Sequence, residues 1–263
     1  MKRSKGKTRI STVILSVILA VCLLGFLSVY IIYPNYMHNY LIKQDYQVYG
    51  GMTEDLKDSG LFEDLSSGKT VCFIGDSITY GTEAFGIHWY EPLIPYITGE
   101  IKNMSYGGWT VSDLLKRSGK IPEADVYVIA IGINDVIHPD SQKAAKTPEE
   151  FIERIIILDK KISSLSQVSK SYYISPWALP GWNQEFNNRR SLYGKALEQW
   201  CDKAGRNFID PEPVIMQVMT EKGSDVFTKD GLHPNAENGV NLYSYAVLTA
   251  AHNQSVSSKM KGQ

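Results

Sequence analysis

Residues 70–79 read TVCFIGDSIT, and this stretch decides the fold class. Its first five residues form an apolar, β-rich run, which is typical of a short strand buried on both faces of a sheet. The run leads into Gly75-Asp76-Ser77, whose residue types favour a tight turn. The stretch therefore predicts a buried strand that ends in a polar turn at the edge of a sheet.

Strand-like and helix-like segments alternate along the rest of the chain. Further apolar, β-rich runs lie at 100–104, 126–131, 172–174 and 207–209. Helical patterns lie at about 89–98, 110–118, 148–166, 188–204, 212–220 and 236–252. Such alternation implies right-handed crossovers between parallel strands. We therefore predict an α/β fold, a three-layer α/β/α sandwich with a mostly parallel five-stranded sheet.

Candidate functional residues follow three of the predicted strands, where open parallel sheets bind their ligands. Ser77 comes after the first strand and can present a hydroxyl at that edge. Gly107 and Gly108 follow the second strand, and glycines there leave backbone N–H groups free to meet an anion. Asn134 follows the third strand and offers a side-chain amide. Taken singly, each feature is equally typical of a turn or a helix cap.

A fourth segment, near the C-terminus, carries an acid–base pair in the sequence Asp230-Gly-Leu-His233-Pro-Asn. An acid three residues before a histidine can orient the imidazole, which then serves as general base toward a serine. A lone histidine of this kind is more often structural, but four strand ends together supply every part of an acyl-transfer site. The G-x-S-x-G elbow of α/β-hydrolases is absent.

Together these segments resemble the SGNH (GDSL-type) hydrolase family. The blocks that carry the resemblance are Gly75-Asp76-Ser77, Gly108, Gly132-x-Asn134-Asp135 and Asp230-x-x-His233. The likeness covers about residues 70–252 and implies the SGNH, flavodoxin-like fold and serine esterase activity. The first block continues Ser-Ile-Thr rather than Ser-Leu, which changes none of the reactive groups.

The resemblance implies a role for each residue. Ser77 would be the nucleophile, His233 its general base, and Asp230 the carboxylate that orients the imidazole. The oxyanion would be bound by the backbone N–H groups of Ser77 and Gly108 and by the Asn134 amide. Gly107 is the neighbouring alternative to Gly108.

Two further residues of these blocks, Asp76 and Asp135, would support the site. We expect no metal and no cofactor. The histidines at 38, 88, 138, 233 and 252 lack the spacing of metal ligands, and nucleotide-binding glycine motifs are absent from the sequence.

Aromatic residues near the strand ends suggest a surface for the substrate. His88 and Trp89 lie in the loop after the first strand, and Trp177 follows the fourth. Packing in the core and stacking against sugar rings both remain open for them, because Trp combines an apolar face with a polar group. The sequence has no long apolar segment of the kind that forms a lipase lid, which favours a short acyl group such as acetyl.

The N-terminus predicts a membrane anchor. Residues 10–33 are uncharged, and 24 residues of helix are long enough to span a bilayer. Five basic side chains and no acidic ones precede this segment, which predicts a cytoplasmic N-terminus and an extracellular catalytic domain on a single-pass membrane protein. A cleaved signal peptide and a lipoprotein signal at Cys22 are the alternatives.

The predicted organisation is a basic tail at 1–9, the span at 10–33, a juxtamembrane stalk at 34–69, the hydrolase domain at 70–254 and a polar tail at 255–263. Apolar residues make up 43% of the chain, enough for a globular core. Beyond residue 33 the chain has 22 basic and 28 acidic residues, a net charge of -6 that excludes a nucleic-acid partner. The sequence leaves open whether Cys72 and Cys201 form a disulfide bond. It predicts no oligomeric state.

These features predict a membrane-anchored, extracytoplasmic esterase that removes acetyl or other short acyl groups from a glycan or a small acylated molecule. The second hypothesis is an O-acetyltransferase that acts on an envelope polysaccharide. The third hypothesis is a lysophospholipase or thioesterase. A reading from another class is an inactive glycan-binding module on the same fold, which would have no need of Ser77, Asp230 and His233 together.

Overall fold

The computed structural model describes residues 4–41, 43–166 and 169–261, with the backbone alone for residues 4–12 and 258–261. The chain divides into two compact units, Met1–Gln44 and Asp45–Gln263. The larger unit contains all of the strands and strand ends singled out above.

The described residues contain one parallel sheet of five strands, which confirms the predicted fold class. The strands are β1 (Val71–Gly75), β2 (Ile101–Ser105), β3 (Val126–Ala130), β4 (Lys170–Ile174) and β5 (Asn207–Ile209). Their order is β2-β1-β3-β4-β5. The chain moves from β1 to one side and then crosses back over it to β3. The carboxyl ends of β1 and β3 therefore flank the point where an open α/β sheet binds its ligand.

Helices connect the strands and cover the sheet. In the larger unit they are α3 (Glu54–Lys57), α4 (Gly60–Leu65), α5 (Ser77–Tyr80), α6 (Val111–Lys116), α7 (Ile133–Ile137), α8 (Pro148–Ser163), α9 (Gln184–Ala204), α10 (Glu212–Lys222) and α11 (Gly239–Lys261). Contacts join α8 to α6 and α9, whereas α11 packs against α3, α4 and the 3-10 helix Glu91–Tyr96. Right-handed crossovers place these two groups on opposite faces of the sheet.

The local sequence of helix α8 determines where the helix begins and which face of it is buried. Thr147 caps it by accepting a hydrogen bond from the Glu150 N–H, and Pro148 occupies the first turn, where no N–H is needed. Apolar side chains that recur along it every three or four residues form its buried face, at Phe151, Ile155, Leu158 and Ile162. The helix ends three residues earlier than its periodicity predicts.

The predicted stalk at 34–69 differs from the structure in its second half. Residues from Asp45 onward belong to the compact domain, and Val48, Leu56, Leu61 and Leu65 are part of its hydrophobic core. Their spacing is too irregular to show a strand or helix period, so the sequence gives no sign of this burial. The domain therefore begins about 25 residues before the first strand.

A buried carboxylate fastens this segment to the sheet. Asp64 accepts a hydrogen bond of 2.6 Å from the Tyr172 hydroxyl of β4 and pairs with Lys69 and Lys170 at 2.6 and 3.0 Å. Burial opposes ionisation of Asp64, but the hydrogen bonds from Lys69, Tyr172 and Lys170 together hold its pKa below the ordinary value.

In the smaller unit, α1 (Ser4–Leu27) continues through a π-helical turn, Ser28–Ile32, into α2 (Tyr33–Leu41). Among the described residues, one helix, Val13–Leu41, is long and apolar enough to cross a membrane. A membrane anchor and a signal sequence both meet this criterion. Of the predicted basic tail, residues 1–3 lie outside the described residues.

The C-terminal segment, expected as a polar tail at 255–263, continues α11 as far as Lys261, and residues 262–263 lie outside the described part. Cys72 and Cys201 are both buried and free. Burial raises the pKa of the Cys72 thiol to about 12 and raises that of Cys201 as well. The bridge between them, left open by the sequence, is not formed.

Asp64→Ala tests whether the segment before β1 is part of the folded domain. We expect a loss of about 2–3 kcal/mol in the free energy of unfolding, because the Tyr172 hydroxyl loses its acceptor and two lysines lose their partner. Urea unfolding followed by tryptophan fluorescence measures this, and Glu63→Ala, an exposed neighbouring carboxylate, is the matched control. Equal stabilities of the two variants would show that the segment adds nothing to the fold.

Candidate active site

Ser77 lies where β1 passes into α5. Asp76 caps this short helix by accepting a hydrogen bond from the Ile78 N–H at 3.1 Å, which makes Ser77 the first helical residue. A side chain at Gly75 would approach Thr79 Oγ1 to 2.3 Å and the Ala130 carbonyl oxygen to 2.8 Å. Glycine is therefore required for this tight passage from strand to helix.

His233 joins Ser77 and Asp230 in a hydrogen-bonded line. Its Nε2 lies 2.8 Å from Ser77 Oγ, and its Nδ1 lies 2.7 Å from Asp230 Oδ2. Because an ionised carboxylate only accepts, Nδ1 donates to Asp230 and leaves Nε2 as the acceptor for the serine hydroxyl. The structure thus brings together the three residues predicted as nucleophile, base and orienting acid, in the arrangement a serine hydrolase requires.

Asp230 is held in place by its own loop. Its Oδ1 accepts hydrogen bonds from the backbone N–H groups of Leu232 at 3.0 Å and His233 at 2.8 Å, leaving Oδ2 for the imidazole. Partial burial raises the pKa, but the His233 backbone N–H, the His233 ring and the Leu232 N–H together lower it below the ordinary value. The carboxylate therefore stays ionised and is able to stabilise an imidazolium.

The predicted oxyanion donors lie on neighbouring elements. Ser77 N–H is in the first turn of α5, where backbone N–H groups have no helical acceptor. Gly108 is exposed and has φ of +73°, a conformation that Gly107 does not share. Asn134 is buried in the first turn of α7 and donates a hydrogen bond of 3.0 Å to the Trp109 carbonyl. One N–H of its amide thus holds the Gly108 loop, and the amide carries a second N–H for an oxyanion.

Asp76 and Asp135 are buried carboxyl groups behind this edge of the sheet. Asp135 accepts hydrogen bonds from the backbone N–H groups of Val111 at 3.0 Å and Ala145 at 2.8 Å, which ties α7 to the start of α6. Burial raises the pKa of Asp135 to about 6. Burial, together with the charge of Asp135, raises the pKa of Asp76 to about 7, despite the hydrogen bond from Ile78. Both groups hold backbone in place by accepting hydrogen bonds from N–H groups.

The aromatic residues proposed from the sequence need a correction. Trp89 and Trp177 are each only 1% exposed, and their rings pack on one another with centroids 5.7 Å apart. Trp89 Nε1 donates to Thr79 Oγ1 at 3.2 Å, which supports the turn after Ser77 from inside the core. Neither Trp can stack on a substrate, so the packing interpretation holds for both. His88 is half-buried, with Nδ1 3.0 Å from the Thr79 carbonyl.

Two exposed tyrosines near the ends of β1 and β2 were not among the residues predicted from the sequence. Tyr80 is the last residue of α5, and Tyr106 follows directly after β2. The signal that points to them is their position, since each comes within three residues of a strand-end block. The two residues are 45% and 58% exposed.

A cleft of about 510 Å³ opens beside Gly108. Its walls come from the loop after β2, from α6 and from the segment after α7, and they include Thr110, Asp113, His138, Asp140, Ser141 and Lys143. Lys143 pairs with Asp113 at 3.1 Å across part of this wall. The cleft is thus lined mainly by polar and charged groups.

The loop after β4 supports the loop that carries Asp230 and His233. Buried Arg190 of α9 donates hydrogen bonds to Ser175 Oγ at 3.3 Å and to the Pro176 carbonyl at 3.2 Å. Further along this loop, Gly181 approaches Gly231 so closely that a Cβ at Gly181 would lie 2.7 Å from Gly231 Cα. The two backbones therefore pack directly against one another between Asp230 and His233.

The parallel sheet and the Ser77–His233–Asp230 line define a serine acyl hydrolase of the SGNH type. A family model described as GDSL-like Lipase/Acylhydrolase matches residues 73–237, and the chain belongs to that family. The chain is accordingly a serine esterase. No relative is found among curated protein sequences.

Solved structures share the fold at low sequence identity. Axe2, an acetylxylan esterase from Geobacillus stearothermophilus, superposes with a TM-score of 0.62 and 22% identity, over 72% of this chain and 96% of that chain. LAE5, an alpha/beta hydrolase enzyme from the metagenome of Lake Arreo, Spain, gives 0.58 and 22% identity, over 70% of this chain and 95% of that chain. At this identity the likeness concerns the fold.

Gly181→Ala tests whether the loop after β4 positions the catalytic loop. The added methyl group must displace Gly231, and a misplacement of about 1 Å in the neighbouring Asp230 and His233 lowers kcat about 10- to 100-fold. Steady-state kinetics with p-nitrophenyl acetate measures the effect, and Gly119→Ala, where the methyl group meets open space, is the control. An unchanged kcat in folded Gly181→Ala protein would contradict the positioning role.

Asp76→Asn tests the buried carboxyl group through its effect on the pH dependence of stability. A carboxyl whose pKa is raised on folding stabilises the protein below its unfolded pKa, and this contribution is lost as the pH rises through about 7. Between about pH 5 and pH 8 we expect the stability of Asp76→Asn to rise by about 2 kcal/mol relative to wild type. Urea unfolding at several pH values measures it, with Asp202→Asn, an exposed carboxylate, as control. Parallel curves for wild type and Asp76→Asn would refute the raised pKa.

Proposed function

We propose that the protein is a membrane-anchored, extracytoplasmic esterase that removes acetyl and other short acyl groups from carbohydrate. The observation that carries this proposal is the Ser77–His233–Asp230 line, together with a polar cleft whose lining includes Gly108, a predicted oxyanion donor. A long acyl chain needs apolar walls, whereas hydroxyl-rich sugars hydrogen-bond to groups such as Asp113, Ser141 and Lys143.

The reaction follows from the geometry of the site. Ser77 Oγ attacks the ester carbonyl carbon while His233 Nε2 takes the hydroxyl proton, and Asp230 stabilises the resulting imidazolium. The tetrahedral oxyanion accepts hydrogen bonds from the N–H groups of Ser77 and Gly108 and from the Asn134 amide. The C–O bond to the sugar then breaks, and His233 gives its proton to the departing sugar hydroxyl.

The second half of the reaction releases the acid. His233 takes a proton from a water molecule, whose oxygen attacks the acyl group on Ser77. When this second tetrahedral intermediate collapses, the proton returns to Ser77 Oγ and the carboxylic acid leaves. In both halves of the reaction His233 carries the proton, and the same backbone and side-chain donors bind the oxyanion.

The proposed location rests on the N-terminal helix. The apolar stretch Val13–Leu41 has the length and hydropathy of a membrane span, and the basic residues 2–9 precede it. The positive-inside rule puts these basic residues in the cytoplasm and the domain outside. Polymeric glycans of the cell exterior are then within reach of the site.

Support for a carbohydrate ester also comes from the structural comparison. Axe2, which shares the fold, is an acetylxylan esterase. An acetylated polysaccharide is therefore the first substrate to test. Transfer of the acetyl group to a second glycan, instead of to water, would use the same acyl-enzyme.

Ser77→Ala tests the proposed chemistry. Wild-type protein in detergent should hydrolyse p-nitrophenyl acetate faster than p-nitrophenyl octanoate and release acetate from acetylated xylan. Ser77→Ala should lower kcat by at least about 10³-fold, because the nucleophile is lost while the oxyanion donors remain. Ser164→Ala, an exposed serine at the end of α8, is the control.

Acetate release from acetylated xylan also tests the location of the catalytic domain and the type of reaction. Acetylated xylan is too large to cross a membrane, so intact cells that carry the protein should release acetate from it. Activity seen only after lysis would contradict the extracytoplasmic location. Transfer to an added glycan with little free acetate would make the protein a transferase, and a preference for the octanoate ester would contradict the short-acyl specificity.

A further inference from the structure

We propose that Tyr80 and Tyr106 form a platform that binds sugar rings next to the nucleophile, so that the enzyme acts on oligosaccharide chains rather than on isolated sugar esters. This inference rests on the proposed carbohydrate esterase function and names where the chain of sugars lies. We call these two residues the tyrosine platform.

Both tyrosines are fixed close to the reacting groups. Tyr80 ends α5, the helix that begins with Ser77. Tyr106 follows β2, and its N–H donates to the Gly75 carbonyl at 3.4 Å, two residues before Ser77. The two ring centroids lie 5.8 Å apart with the planes inclined by 51°. The platform thus sits at the carboxyl edge of β1 and β2, beside the nucleophile.

Trp109 braces the platform from the side of the oxyanion donors. It follows Gly108 directly, and its ring centroid lies 5.8 Å from that of Tyr106. The Arg117 guanidinium covers Trp109 at 5.1 Å from the ring centroid, and the Trp109 side chain is half-buried. Cation–π contact and packing therefore fix Trp109, which in turn limits the movement of Tyr106.

The exposure of these rings calls for an explanation. In the described part of the larger unit, the other strongly exposed large apolar side chains are Ile157, Leu192, Val226 and Val256, which lie on four different elements. Isolated exposed residues of that kind are normal on a protein surface. Tyr80 and Tyr106 differ because they contact each other and lie in or directly after elements at the sheet edge that carries the candidate nucleophile. Contiguous exposed rings beside an active site are typical of a ligand-binding surface.

The chemistry of the surroundings favours sugar rings over a lipid chain. A tyrosine ring offers an apolar face to the C–H groups of a sugar and a hydroxyl for hydrogen bonding, and it loses little entropy when fixed. The cleft that includes Gly108 is lined by polar groups such as Thr110, Asp113 and Lys143. A sugar that carries the acetyl group at Ser77 can therefore place its neighbours in the chain on the tyrosine platform.

The kinetic test compares a short and a long substrate. Wild type should deacetylate acetylated xylohexaose with a higher kcat/KM than acetylated xylobiose. Tyr106→Ala should lower kcat/KM on acetylated xylohexaose about tenfold relative to that on p-nitrophenyl acetate, mainly through KM, which is about 1.4 kcal/mol of binding. Tyr106→Phe, which keeps the ring, should retain most of the activity on the hexaose derivative.

Leu192→Ala is the matched control, because Leu192 on α9 is 58% exposed, as is Tyr106. Leu192→Ala should leave the ratio of kcat/KM on acetylated xylohexaose to kcat/KM on p-nitrophenyl acetate unchanged. If Tyr106→Ala lowered kcat/KM equally on acetylated xylohexaose and on p-nitrophenyl acetate, the proposed platform would be wrong. A selective loss on p-nitrophenyl octanoate would overturn it in favour of an acyl chain as occupant.

A binding measurement separates this inference from the proposed function. Ser77→Ala protein is titrated with xylohexaose, cellohexaose and chitohexaose, and Trp109 next to the platform reports binding through tryptophan fluorescence. Binding of at least one of them should weaken about tenfold when Tyr106→Ala is added. Failure of wild type to release acetate from any glycan would refute the proposed function. Absence of binding to all three, or binding unchanged by Tyr106→Ala, would refute the platform.

Discussion

The pairing of β1 between β2 and β3 is the constraint on which the site depends. Gly75 at the end of β1 is in register with Ser105 of β2 and Ala130 of β3, so the three strands end at one level. Within four residues of those ends the chain places Ser77, Gly108 and Asn134. A shift of register by one residue would turn the strands' buried side chains to the opposite faces of the sheet. The same hydrogen bonds that hold the sheet therefore hold the nucleophile and the oxyanion donors at fixed separations.

The general base comes from outside this framework and needs separate support. Asp230 and His233 lie on a loop, and loops are more mobile than strands. Three devices restrain this one: the backbone hydrogen bonds to Asp230 Oδ1, the contact of Gly231 with Gly181, and the hydrogen bond from Tyr243 of α11 to the Leu232 carbonyl at 3.2 Å. Arg190 extends the restraint to α9. The sheet thus fixes one half of the catalytic line, and packing between loops fixes the other half.

Much of the fold and of the candidate site was predictable from the sequence, because both depend on short-range signals. Apolar runs mark buried strands whatever their partners are, and the residues that follow such runs must lie at the carboxyl edge. Burial of individual side chains was less predictable, since it depends on distant partners. Trp177 is enclosed by Tyr243, and Asp64 is paired with Tyr172, each far away in sequence. For the same reason the sequence predicts a stalk over residues 45–69 and does not point to the exposed pair Tyr80 and Tyr106. It also leaves packing and stacking both open for Trp89 and Trp177, which the structure buries.

The two free cysteines of the domain bear on where and how it can fold. Cys72 lies within β1 and Cys201 within α9, and with their raised pKa values both remain thiols at neutral pH. No cross-link in the described residues holds the native state together, so the stability of the domain comes from its non-covalent contacts. Folding then requires neither an oxidant nor a disulfide isomerase, and a change in the redox poise of its surroundings leaves the fold as it is. Such a domain is equally suited to an oxidising and to a reducing compartment.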